Sequence, residues 1–72
     1  MEKYKLVFRN QTEDDAPIGE LMRETKMYLF LKYKGKPTYC RVNKKTLKTK
    51  WFATDDSYNF DGAMANFLIK IN

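Results

Sequence analysis

Apolar and polar side chains alternate with a period of two over much of this chain. Tyr4, Leu6 and Phe8 interleave with Lys3, Lys5, Val7 and Arg9, which predicts a strand with one apolar face. From Met27 to Lys34 the pattern returns, with Met27, Leu29, Leu31 and Tyr33 on one side and Tyr28, Phe30, Lys32 and Lys34 on the other. Lys34-Gly35-Lys36-Pro37 supplies turn chemistry, since glycine takes positive φ without a side-chain clash. A second arm follows, Thr38, Cys40 and Val42 against Tyr39 and Arg41, then a turn at Asn43-Lys44-Lys45-Thr46. The third arm sets Leu47, Thr49, Trp51 and Ala53 against Lys48, Lys50 and Phe52. A slip of one residue would exchange the two faces.

Two segments carry helical spacing instead. Around residues 17–24, Pro17 suits a first helical position, Glu13, Asp14 and Asp15 lie near the positive dipole end, and Ile18, Leu21 and Met22 share one side. Gly19 weighs against that short helix. Phe60, Met64, Phe67, Leu68 and Ile71 fall at i, i+4, i+7, i+8 and i+11, with Ser57 or Asn59 as cap and Asp61 in the first turn, which predicts a C-terminal amphipathic helix. The sum is an α+β fold in one domain, residues 1–72: an N-terminal strand, a short helix, a three-stranded meander, and a final helix packed on the apolar sheet face. On that reading Trp51, Phe67 and Leu29 share the core, and Phe67→Ala costs ~3 to 5 kcal/mol.

Charge adds a second pattern. The chain holds 14 basic and 9 acidic residues, yet Lys26 to Trp51 has nine basic residues and no acid. A segment of net +9 therefore sits beside flanks of net −4. Eleven Lys against three Arg is what an A·T-rich genome gives many proteins, but codon bias does not explain why acids avoid residues 25–54. Such a field favours an oppositely charged partner within about 8 to 10 Å at moderate salt.

If helices cover the face of Tyr4, Leu6, Phe8, Leu29, Leu31, Cys40, Val42, Leu47 and Trp51, the other face gathers a mixed set. It holds Tyr28, Phe30, Lys32, Lys34, Tyr39, Arg41, Lys48, Lys50 and Phe52, with Lys3, Lys5 and Arg9 beyond them. Aromatics among cations suit nucleic acid, DNA or RNA, because bases stack on rings while cations track phosphates. Tyr, Phe and Arg also anchor protein contacts, so an acidic protein surface is the alternative partner. The third reading is a solvated sheet face whose lysines discourage edge pairing.

The stretch from Met27 to Leu68, with Lys50-Trp51-Phe52-Ala53-Thr54 leading into Phe60 to Leu68, resembles the three-stranded DNA-binding domains of plant ethylene-response factors and phage integrase arms. That resemblance implies reading of the major groove from the sheet. The Arg-rich strands and the glycine after the third strand are missing here. From Pro17 onward, with Leu21 and Glu24, the element order is also similar to a double-stranded-RNA-binding domain. Asp55, Asp56 and Asp61 stand where that family needs phosphate-binding lysines, and neither likeness assigns a family.

Catalytic and metal chemistry find little footing. The chain has no histidine, which removes the commonest general base and the usual zinc sites. Asp55, Ser57, Asn59 and Asp61 alternate like the start of a calcium loop, but Phe60 occupies the turn-glycine position and Asn66 that of the bidentate glutamate. No cofactor is expected. Cys40 is the one cysteine, so no intrachain disulfide forms, although a bridged homodimer stays open. No apolar run is long enough for a signal peptide or membrane span. The expectation is a cytoplasmic, non-enzymatic binding module for nucleic acid, or alternatively a phage- or mobile-element-type inhibitor or adaptor that blocks an acidic surface of a larger protein.

Overall fold

The computed structural model describes residues 1–72 and contains no helix. Seven strands form one antiparallel sheet: β1 (Lys3–Val7), β2 (Ile18–Glu24), β3 (Tyr28–Tyr33), β4 (Thr38–Asn43), β5 (Thr49–Ala53), β6 (Asn59–Asp61) and β7 (Phe67–Lys70). Their order is β6-β5-β4-β3-β2-β1-β7, a meander whose last strand crosses back to pair with the first. The fold is all-β, and the α+β expectation is overturned.

Where alternation was clear, the faces fall as expected. Leu31 pairs with Cys40 and Cys40 with Trp51, while Leu29 pairs with Val42 and Val42 with Thr49, so each row lies on the inner face. Tyr4, Leu6, Leu29, Leu31, Tyr33, Cys40, Val42 and Ala65 make up the core, with Phe8, Leu21, Leu47, Trp51 and Leu68 packed around it. Met27 precedes β3 and is exposed. Gly35 takes φ 76° in the β3–β4 turn, the conformation for which glycine suits that position.

The short helix expected near residues 17–24 is strand β2. A bulge between Leu21 and Arg23 interrupts its register, leaving Met22 as the extra, exposed residue. The bulge displaces the apolar positions from strict alternation, and Ile18, Leu21 and Met22 then imitate helical spacing. Gly19 has a sheet role: a Cβ there would lie 3.1 Å from Leu31 Cβ and 3.2 Å from Tyr33 Cε1, because the Tyr33 ring rests over it. In this position β2 satisfies backbone groups on both β1 and β3, which a helix of two turns would leave open.

The C-terminal helix is likewise replaced, by β6, a crossing segment and β7. Phe60, Met64 and Phe67 are 49%, 57% and 60% exposed, and of the supposed apolar stripe only Leu68 packs on the core. The peptide N–H groups of the crossing are taken up by the sheet: Gly62 N–H donates to Thr49 O (3.1 Å), Ala65 N–H to Leu47 O (2.9 Å) and Asn66 N–H to Val7 O (2.8 Å). Successive residues thus reach the β5 side and the β1 side, so the sheet curls until its two ends meet at the crossing. Its inner face is closed by its own curvature and by the buried Ala65, and no helix is needed to cover it. Both family likenesses depended on a final helix and fall with it.

The stability consequences change accordingly. Leu31→Ala should cost ~2 to 5 kcal/mol, because Leu31 is fully buried, whereas Phe67→Ala should cost only about 0.5 kcal/mol. Gly62→Ala drives a Cβ into Trp51 Nε1 and Thr49 Oγ1 and should cost ~1 to 3 kcal/mol with a shift in Trp51 emission. Urea melts followed by tryptophan fluorescence check all three. A Phe67→Ala loss as large as that of Leu31→Ala would contradict this packing.

Candidate functional site

The outward residues of β3, β4 and β5 form one continuous patch. Register sets Phe30 beside Arg41 and Arg41 beside Lys50, and in the next row Lys32 beside Tyr39 and Tyr39 beside Phe52. Tyr39 and Phe52 stack with centroids 5.3 Å apart and planes inclined by 14°. Phe30 lies 6.4 Å from Tyr39 and 6.4 Å from Tyr28, so four rings run in sequence across the sheet. Arg41 reaches diagonally over Tyr28, its Cζ 4.4 Å from that centroid and 5.7 Å from Phe52. Lys50 Nζ stands 5.9 Å from Phe52.

At the Tyr28 end of this row, beside the β4–β5 turn, a cleft of about 450 Å³ opens between Tyr28, Arg41, Lys48, Lys50 and Asp61. Three cations face one acid there, and Asp61 sits across the strand pair from Lys50. Lys48 joins through local backbone chemistry. Asn43 Oδ1 accepts from the N–H groups of Lys45 and Thr46, which tightens the turn, and Leu47 takes φ 62° before the chain enters β5.

The expected site residues divide clearly. Tyr28, Phe30, Tyr39, Arg41, Lys50 and Phe52 share the patch, and Lys48 borders its cleft. Lys32 folds away, its ammonium donating to Tyr33 O at 3.0 Å and Lys36 O at 2.6 Å. Lys34 lies in the turn after β3, exposed and outside the cleft. Lys5 is bound to Glu13 O (2.8 Å) on β1, beyond β2. Arg23 was missed. It lies 4.4 Å over the Phe30 ring, and the bulge in β2 is what turns it to this face. Its signal was an arginine opposite an aromatic strand, legible only once residues 18–24 are known to be extended.

The acidic loop is a closed local structure. Asp55 Oδ1 accepts from Ser57 N (3.0 Å) and Ser57 Oγ (2.6 Å), and the Ser57 hydroxyl bond is the main reason its carboxyl titrates below the ordinary range. No three His, Cys, Asp or Glu side chains converge as a metal group. No family model matches the chain, and neither curated proteins nor solved structures give a match.

Cys40 is a free, fully buried thiol on the inner face of β4, and burial pushes its pKa up to about 12. The buried native thiol holds its proton more tightly than an unfolded thiol near about 8.5. Its contribution to stability is therefore intact below that pH and is lost as pH rises towards about 12. Cys40→Ala should flatten the fall in melting temperature above about pH 9, and native Cys40 should resist a thiol reagent at neutral pH. Labelling as fast as in urea would contradict the burial.

Proposed function

We propose that the protein binds single-stranded nucleic acid across the outer face of β3, β4 and β5. The observation that carries this reading is the junction of an aromatic row with a cationic cleft: Tyr28, Phe30, Tyr39 and Phe52 lead to Arg41, Lys48 and Lys50. Bases laid on the rings gain ~1 to 3 kcal/mol each, and the cleft cations take the phosphates. A duplex would leave the rings unused, since its base faces are already stacked. Arg41 is committed to Tyr28, so it stacks and carries charge more than it reads base edges. Asp61 beside Lys50 favours a phosphate path along the Arg41 and Lys48 side.

No catalytic step belongs to this reading, for the chain has no histidine to serve as base. The unpaired Cys40 suits a reducing, cytoplasmic setting. No helix is long and apolar enough to cross a membrane. The second reading, an adaptor or inhibitor seated on an acidic protein surface, draws on Met64, 57% exposed and on the cleft lining, as an apolar anchor beside the cations.

Anisotropy titrations with oligo-dT, oligo-U and duplex over a salt series test the proposal. Arg41→Ala and Lys48→Ala should each lower the salt slope by about 0.7 on single strands. Phe52→Ala and Tyr39→Ala should weaken single strands by ~1 to 3 kcal/mol and duplex much less. Binding no tighter than ~10⁻⁴ to 10⁻⁶ M at physiological salt, unchanged by the charge substitutions, would sink the proposal and leave the acidic protein partner.

A further inference from the structure

A second recess lies on the inner face, at the end of β4 opposite the cationic cleft. Its volume is about 210 Å³, and Phe8, Tyr33 and Trp51 give it aromatic walls, with Leu6 and Pro17 completing the apolar lining. Tyr33 and Trp51 are 5.7 Å apart with planes inclined by 32°. Tyr33 is 7% exposed, and its hydroxyl is not a buried unpaired group, because it keeps access to solvent. An apolar cavity of about 150 Å³ holds benzene, so this recess accommodates one six-membered ring with a substituent.

The polar groups on the lining point to the sign of that substituent. Lys36 supplies the one ionised group, and no acid is present. Gln11 Oε1 is occupied by Phe8 N–H at 3.0 Å, which leaves the amide NH₂ free to donate. The Lys36 backbone is pinned, its N–H on Tyr33 O (3.1 Å) and its carbonyl accepting Lys32. Donors thus stand beside an apolar, aromatic slot.

We propose that this recess binds a small single-ring aromatic carboxylate, its ring between Tyr33, Trp51 and Phe8 and its carboxylate accepting from Tyr33, Lys36 or Gln11. Trp51 is the only tryptophan and reports occupancy directly. Benzoate should change Trp51 emission saturably with a Kd of about 1 mM or below, benzyl alcohol should bind about tenfold more weakly, and acetate should give no saturable change. Tyr33→Phe should weaken benzoate about fivefold to tenfold. Lys36→Ala, at an exposed position that leaves the core untouched, should weaken it severalfold and remove the preference over benzyl alcohol. Thr38→Phe, which fills the recess, should abolish binding, with a thermal melt confirming the fold. The proposal is overturned if benzoate up to ~10 mM gives no saturable change, if acetate gives the same change, or if Lys36→Ala leaves benzoate affinity unaltered.

Discussion

Everything in this fold depends on the crossing from β6 to β7. Gly62 passes so close to Trp51 that no side chain fits, and the N–H groups of Ala65 and Asn66 then tie Leu47 and Val7 to one short segment. That pair of hydrogen bonds gathers a seven-stranded sheet around its own inner face. Without it, β1 would lose β7 as partner and the core would lie open beside Leu6 and Leu31. A buried backbone group left unpaired costs about as much as several good contacts gain, so the crossing contributes by satisfying donors as well as by placing Ala65 in the core.

A chain this short has little interior to spend on anything but packing. Only 13 of its 72 residues are buried, and they include Cys40 and Thr49. Thr49 is accommodated because its hydroxyl donates to Ala63 O at 2.6 Å, which ties β5 to the crossing segment. The core is therefore a thin row of aliphatic side chains and Cys40 walled by Tyr4, Tyr33 and Trp51. Marginal stability follows from its size.

The same economy explains the outer face. Its rings are half-buried against one another and against guanidinium groups, so they stabilise the sheet while staying open to solvent on one side. Cations that look equivalent along the chain separate into distinct roles. Lys44 pairs with Glu24 and Lys70 with Glu2, Lys32 caps the β3–β4 turn, and Arg41, Lys48 and Lys50 surround the cleft. Net charge alone would overstate the field presented to a partner.

The amino-acid sequence by itself determined which residues point inward on β1, β3, β4 and β5, because a period of two is a local property that burial on one face reads directly. It also determined the turn at Gly35 and the union of rings and cations on the outer face, with six of the nine expected site residues in one patch. Tertiary structure decided the rest. Residues 18–24 and 59–71 have apolar spacings compatible with a helix, and only the unpaired edges of β1, β3 and β5 settle them as extended. Pairing of edges is non-local: Leu68 finds Leu6 across more than sixty residues of chain, and no window of sequence contains both. The bulge at Met22 then turns Arg23 onto Phe30, a contact created by hydrogen-bond register rather than by sequence spacing.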